Sequence, residues 1–407
     1  MPSYVVCLVR IHNIYKALSP SLFFLNHHRT AVSSATYVAS RARDVTFEKF
    51  MDGYKNLVKV VSIQDLILAS PKKSQSVSIE FLNRLSQKFH LNRGAASFLR
   101  KYPHIFHIFY DISKSQPYCG LTDAALHITC DEAVAINATL PDVTDRLVRV
   151  LSMSTSRSVP LRAVFKVWRE LGLPDDFEDS VISRNPQLFE LIDAQEPNTH
   201  TLRLVQGAVC HKNFSAAADN WRVIECCNVD SKIDHTGNQY GFKHTFPPGM
   251  RLSKDYKAKV REWQKLPYPG PYCEFGVKKK SKTAIKELEK RAVGIMHEFL
   301  SLTVEKMVEV EKVSHFRNCF GIELNMRDLF LDHPGIFYLS TKGKRHTVFL
   351  REAYERGCLV HSNPVYEVRR KLLDLVLLGR RGLLSKKLKS NDNIEDGKAK
   401  LQEDVSD

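Results

Sequence analysis

A phrase that ends a helix at a proline occurs three times in this 407-residue chain, and it constrains the architecture more than any other feature. The copies are Phe98-Leu99-Arg100-Lys101-Tyr102-Pro103-His104-Ile105-Phe106, Val181-Ile182-Ser183-Arg184-Asn185-Pro186-Gln187-Leu188-Phe189 and Phe330-Leu331-Asp332-His333-Pro334-Gly335-Ile336-Phe337. In each, two apolar residues stand three to five positions before the proline, and Ile or Leu followed by Phe stands two and three after it. Proline lacks the amide hydrogen that a helix interior needs and pushes its predecessor out of the helical region, so each phrase reads as a helix running into an extended segment. Upstream of each copy apolar residues recur at helical steps: Ile79, Leu82, Leu85 and Phe89; Leu161, Val164, Phe165 and Trp168; and a longer series through Ile285, Leu288, Ile295, Met296, Phe299 and Leu302 to Met307, Val308, Val313 and Phe316. The unit is helix, short turn, helix, proline stop. Hairpins that cannot bury their apolar faces alone stack on one another. The prolines lie 83 and 148 residues apart, so the array is irregular, and three unrelated proline-stopped helices in one core remain the alternative.

Between the second and third copies, and just after the third, the texture changes. Trp221 to Asn228, Tyr240 to Phe246 and Thr347 to Leu350 are aromatic or β-branched, and Phe246-Pro247-Pro248-Gly249 and Leu266-Pro267-Tyr268-Pro269-Gly270-Pro271 interrupt regular structure. Short strands and turns are expected there, with Cys226 and Cys227 alternating faces on a strand. The expected class is α+β, predominantly helical, with proline-terminated helical hairpins and a small β-rich section in the middle and late chain.

Lys and Arg number 60 against 45 Asp and Glu, a net charge of +15, so a polyanion is the first partner to consider, nucleic acid before membrane. The longest apolar runs, such as Tyr4 to Val9, are far shorter than the roughly 18 residues a bilayer span requires, so no membrane insertion is expected. Residues 1–43 carry five basic residues and no acidic one, with Ser and short apolar patches; this is the composition of an organelle transit peptide, mitochondrion ahead of plastid. Residues 44–384 form the expected folded domain, and the tail over 385–407 reads as disordered and charged. The nine cysteines include no C-x-x-C pair, so zinc-ribbon and c-type haem readings have no basis, and no metal or other cofactor is expected.

The chain resembles the plant organelle RNA recognition domain family. The matching phrases are Asp65-Leu66-Ile67-Leu68, the first two proline phrases, the run Phe246 to Leu252, Arg261-Glu262-Trp263-Gln264-Lys265-Leu266-Pro267-Tyr268, Lys290-Arg291-Ala292-Val293, His315-Phe316-Arg317 and the run His333 to Arg345. The resemblance covers roughly Arg41 to Arg381. A basic stretch common after the presequence in that family is replaced here by Asp52-Gly53-Tyr54-Lys55. The resemblance implies binding of organellar RNA, specifically group II intron transcripts whose splicing such proteins assist, with other splicing factors as candidate partners. The proline-stopped hairpins are also similar to mitochondrial transcription termination factor repeats, which keeps an organellar DNA-binding factor as an alternative.

Clustered cations supply most nucleic-acid affinity by counterion release, and aromatics beside them suit single-stranded RNA. The candidate RNA-binding residues are Lys278, Lys279, Lys280 and Lys282, after the aromatic segment Tyr268 to Phe275; Lys342, Lys344 and Arg345, between two strand-like segments; and Arg100 and Lys101 on the first proline-stopped helix. Trp263, Tyr268 and Tyr272 are expected to pack instead. No phosphate-binding loop, G-x-S-x-G elbow or H-E-x-x-H pair is present, and Asp175, Asp176, Glu178 and Asp179 read as a helix start. The expectation is a protein with no catalytic residues. A metal-dependent RNA-processing nuclease is the remaining enzymatic alternative.

Overall fold

The computed structural model describes residues 43–71, 75–193, 199–207, 214–228, 239–247, 250–273, 281–343 and 345–379. Its helices and strands assemble the same unit three times. The first runs β1 (Ser76–Ser78), α2 (Ile79–Arg84), α3 (Ala95–Leu99), β2 (Phe106–Asp111) and β3 (Gln116–Leu121), after a long helix α1 (Val45–Leu68). After helices α4 (Asp123–Ala138) and α5 (Leu140–Ser152), the second runs β4 (Ser158–Pro160), α6 (Leu161–Leu171), a π-helical turn (Glu178–Ile182), β5 (Phe189–Asp193) and β6 (His200–Leu204). Helices α7 (Ala217–Asn228), α8 (Lys254–Lys265) and α9 (Lys282–Leu302) follow. The third unit is β7 (Met307–Glu309), α10 (Val310–Ser314), α11 (Met326–Asp332), β8 (Phe337–Ser340) and β9 (Thr347–Leu350). A small hairpin of β10 (Tyr354–Glu355) and β11 (Cys358–Leu359) precedes a helix over 364–379.

Each unit closes its own antiparallel sheet with the last strand in the middle: β1-β3-β2, β4-β6-β5 and β7-β9-β8. With the helix ahead of each unit (α1, α5 and α9), this connectivity and strand order are those of a winged helix–turn–helix. The proline phrase explains why the copies coincide. In all three, the Phe three residues past the proline opens the second strand and is buried. Its amide reaches back over the proline to the residue before it, as Phe106 to the Tyr102 carbonyl, Phe189 to Asn185 and Phe337 to His333, each at 3.0 Å. The proline thus stops the helix while its predecessor's carbonyl anchors the strand. A non-glycine residue with positive φ also stands at the entry to the first strand of every copy, Gln75, Arg157 and Lys306.

The chain divides into two compact units. One contains Asn56–Leu126 and residues 375–379; the other contains residues 43–55 and His127–Asp374. In the second, the middle and last repeats share a core that buries Val164, Leu202, Phe299, Phe316 and Val348 completely. Helix α6 ends at Gly172, whose left-handed φ of 73° closes the helix and whose bare Cα faces Val304 where a Cβ would come within 2.9 Å. In the same unit, Asp44 opens α1 by accepting the Thr46 amide at 3.0 Å and pairs with the buried Arg351 at 3.0 Å.

The expected class is observed, but several elements differ from the sequence reading. The β structure is not confined to the middle and late chain, because the first copy carries the longest hairpin. Trp221 to Asn228 lies in the helix α7, so Cys226 and Cys227 are helical neighbours and not strand residues. Tyr240 to Phe246 forms no strand, whereas Thr347 to Leu350 does. The long periodic series after Ile285 is broken after Leu302, where the chain turns into β7. Phe165 is 40% exposed, and α6 buries Val167 and Leu171 in its place. The 65-residue excess between the second and third prolines holds α7, α8 and the proline-rich turns, so the repetition is real but interrupted.

Candidate nucleic-acid interface

The three cationic clusters differ in what compensates them. Lys342 follows β8, and its ammonium lies 2.8 Å from Asp52 and 3.7 Å from Glu48. The hydrogen bond from Lys342, with a second from Lys55, holds the Asp52 carboxyl down at about 2, and Asp52 raises Lys342 in return. Arg345 contacts Glu309 and Glu311, each at 3.0 Å. Lys342 and Arg345 are therefore partly compensated within the fold, by pairs near the surface that solvent screens. Lys344 lies outside the described residues, as do Lys278, Lys279 and Lys280. Lys282 is the first residue of α9, which Ser281 caps by accepting the Ala284 amide at 3.1 Å.

The first unit is different. Asn56 to Leu126 contains nine Lys or Arg and four Asp or Glu. Arg100 is exposed at the end of α3, and Lys101 follows it in the turn before Pro103. A cleft of about 200 Å³ opens beside them, lined by Lys59, His90, Asn92, Arg93, Gly94 and Lys101 among others. Lys59 crosses it to donate to the His90 carbonyl at 2.7 Å. The chain around the cleft is set by Asn83, whose side chain accepts the Ala95 amide at 2.9 Å and so fixes the start of α3 after Gly94. Among the described residues, Arg93, Arg100 and Lys101 form no ion pair with a carboxylate. Sequence reasoning named Arg100 and Lys101 as candidates but not Lys59 and Arg93, which the fold of α1 and the 85–94 turn delivers to the cleft beside Lys101. Their only sequence signal was the regional excess of base over acid.

The phrases that carry the family resemblance converge elsewhere. Lys290 on α9 is fully buried, and its ammonium donates to the Trp263, Gln264 and Leu266 carbonyls at 2.7, 2.9 and 2.7 Å. These are carbonyls at the end of α8, so the cation caps that helix and sits 4.7 Å from the Trp263 ring. Burial pushes the Lys290 pKa down to about 7. Gln264 pairs with the Phe242 backbone through both ends of its amide, 2.7 Å each way. Trp263, Tyr268 and Tyr272 all pack against the core, as expected. His244 and Phe246 lie over Gly335, where a Cβ would come within 2.5 Å of the imidazole. This cluster is a structural pin that consumes the Lys290 cation internally, while the solvent face of α8 beside it exposes Lys254, Lys257, Lys259, Arg261 and Lys265.

Among the described residues no group of three His, Cys, Asp or Glu assembles that could hold a metal, and no helix is long and apolar enough to cross a membrane.

Comparison with known proteins adds a direct result. The family described as plant organelle RNA recognition domain matches residues 42–381. The chain is 38% identical over 348 residues to Protein ROOT PRIMORDIUM DEFECTIVE 1 of Arabidopsis thaliana, covering 84% of each protein. It is 28% identical over 348 residues to Protein WHAT'S THIS FACTOR 1, chloroplastic, of Zea mays, covering 85% of this chain and 68% of that one. To Protein WHAT'S THIS FACTOR 9, mitochondrial, of Arabidopsis thaliana it is 28% identical over 366 residues, covering 86% and 90%. No solved structure matches.

Proposed function

This chain belongs to the plant organelle RNA recognition domain family, and from that premise we propose that it binds organellar transcripts and promotes splicing of group II introns by holding the folded intron, without making or breaking a bond itself. The observation that carries this reading is that Arg93 and Lys101, which line the first-unit cleft with Lys59, and Arg100 at the end of α3 pair with no carboxylate among the described residues. Relatives named chloroplastic and mitochondrial support an organellar site of action, and the acid-free first 43 residues have the composition of a transit peptide, read here as mitochondrial with plastid as the alternative. A protein that binds the compact intron more tightly than its misfolded forms shifts the population by that difference, tenfold for each 1.4 kcal/mol.

Duplex DNA is the competing ligand, since a helix–turn–helix can read the major groove. Here the helix in the reading position of the first unit, α3, is five residues and buries Ala95, Phe98 and Leu99. At 1.5 Å per residue it spans roughly 7.5 Å, a poor probe of a groove about 12 Å wide. Competition between intron RNA and duplex DNA of the same sequence tests the choice, with preferential retention of RNA expected.

Replacing Arg93, Arg100 and Lys101 together by Ala should weaken RNA binding about tenfold near 0.1 M salt and lower the slope of log K against log salt by about 2, as expected for three lost phosphate contacts on a single strand. An unchanged slope would remove these residues from the interface. Replacing Lys342, Lys344 and Arg345 by Ala should also weaken binding, but with a smaller change in slope, because Glu48, Asp52, Glu309 and Glu311 already neutralise part of that run. Sequencing of RNA recovered with the protein from its organelle, paired with measurement of unspliced transcripts after its loss, tests the whole reading. Normal splicing of every recovered intron in the absence of the protein would refute it.

A further inference from the structure

Resting on the RNA-binding reading, we propose that the β2–β3 hairpin of the first unit is a stacking platform for the bases of single-stranded RNA. Strand pairing creates it. Phe109 stands opposite Tyr118 and His107 opposite Gly120, so period-two alternation puts the three rings on one face. His107 and Phe109 stack with ring centres 5.4 Å apart and planes 21° apart; Phe109 and Tyr118 follow at 6.2 Å and 27°. The three ring planes are within 30° of parallel from neighbour to neighbour, so a base can continue the row. Gly120 makes it possible, because a Cβ there would come within 2.5 Å of the His107 ring, so the bare backbone lets the imidazole lie flat across β3.

Of the three rings His107 and Phe109 are exposed, Phe109 to 39%, while Tyr118 is buried at 9% and backs the row; on the opposite face and tip Tyr110 is 62% and Ile112 86% exposed. Such a concentration of exposed apolar side chains on one hairpin marks a binding surface. The turn is pre-formed: Asp111 accepts the Ser113 amide and hydroxyl at 2.9 and 2.6 Å, and Ser115 takes the left-handed conformation that returns the chain. From this turn Lys114 reaches over the Tyr118 ring, 4.7 Å from its centre, placing a cation beside the rings.

The other two copies of the fold act as internal controls. The position of the Phe109–Tyr118 pair is occupied by Ile192 and Thr201 in the second hairpin and by Ser340 and Thr347 in the third. The second hairpin presents a Glu190–Arg203 ion pair at 2.8 Å instead, and the third is buried. The fold therefore does not require an aromatic row, and the first copy has it for another reason. The choice of RNA over a protein partner follows from charge: the same unit carries the basic excess and the Arg93, Arg100 and Lys101 cluster. Unpaired bases offer the flat faces that rings accept, while a duplex has its base faces already stacked.

The test uses the full chain and a single-stranded oligonucleotide of about 20 nucleotides, alone and annealed to its complement. His107→Ala with Phe109→Ala should weaken single-strand binding about tenfold, leave the salt slope unchanged and leave duplex binding unchanged; Phe109→Trp should retain wild-type affinity. In parallel, photocrosslinking of wild-type protein to RNA containing 4-thiouridine should give adducts on the peptide spanning residues 107–118, a result that does not depend on any variant folding. Unchanged single-strand affinity in the double variant, with adducts only elsewhere, overturns the platform while the Arg93, Arg100 and Lys101 variant still reports on RNA binding itself. Loss of a protein partner with RNA affinity intact overturns it as well. No binding of RNA by the wild-type chain would instead overturn the reading on which the platform rests.

Discussion

Lys290→Met is expected to cost about 3 kcal/mol of folding stability at neutral pH, a large share of what a domain possesses. The side chain has no exposed surface, and Met restores most of its volume but no donor. The Gln264 and Leu266 carbonyls at the end of α8 then lose their lysine donor, the Trp263 carbonyl keeps only the Leu266 amide, and each under-satisfied buried acceptor costs on the order of 1 kcal/mol or more. Desolvation of the ammonium opposes this and gives the effect a pH signature. Burial holds the folded-state pKa near 7, against an ordinary value of 10.5. Between those values the unfolded chain binds more protons than the folded one, so wild-type stability should rise with pH from about 7 toward 10.5, by at most about 1.4 kcal/mol per pH unit. The Met variant should lack that rise. Urea unfolding of both proteins at pH 7 and pH 9 measures it, and equal stability at pH 7 would show that the carbonyls find other donors. RNA affinity per folded molecule should be unchanged, because the ammonium points into the pin and away from solvent.

That expectation separates two meanings of the family phrases. The tryptophan phrase on α8, the Lys290 phrase on α9 and the His333-Pro334-Gly335 phrase before β8 are remote in sequence and adjacent in space. They are distinctive because they build one dry joint: Trp263 lies 4.7 Å from the His333 ring, His333 bonds Glu289 at 3.0 Å, and Arg291 reaches the Gly270 carbonyl at 3.1 Å. A Lys inside such a phrase looks cationic in sequence and is consumed internally in the fold.

The proline phrases were legible as helix stops because proline acts locally through its own ring and missing amide. The strands they lead into were less so. A three-residue strand such as Val159 with its neighbours carries no periodicity to detect, and it exists because the later hairpin supplies its partner. Helix α7 was misread for the related reason: Trp221, Val223 and the paired cysteines have strand-like preferences that the tertiary setting overrides. Among the candidate RNA contacts, charge was legible and compensation was not. Asp52 and Glu48 lie some 290 residues from Lys342 in sequence, so only the fold shows that this lysine is paired. The hairpin aromatics escaped notice because strand register, not composition, aligns their rings.

Acidification offers the second strong test of the pin. His244 Nδ1 lies 2.6 Å from Gln264 Nε2, and the Gln264 orientation is fixed because its Oε1 accepts the Phe242 amide at 2.7 Å. With the neutral imidazole's proton on the other nitrogen, Gln264 Nε2 donates to Nδ1; a second proton would set two donors against each other there, and the Phe242 carbonyl, 3.0 Å from Nδ1, would offset only part of that loss. Burial is the larger influence and pushes the pKa down to about 4; the charges of His333 and Lys290 add to it, while the Phe242 carbonyl and Glu352 oppose it. The unfolded chain, with an ordinary value of 6.5, takes the proton first as pH falls. The stabilisation is thus complete above about 6.5 and is lost on descent toward 4, by about 3 kcal/mol at the outside. Carboxylates titrate over part of the same range, so the decisive quantity is a difference: His244→Phe should lose about 2 kcal/mol less than wild type between pH 7 and pH 4.5 in urea unfolding. Parallel pH profiles for the two proteins would mean that the imidazole charges without disturbing the joint, and that the pin holds by packing and the Lys290 cap alone.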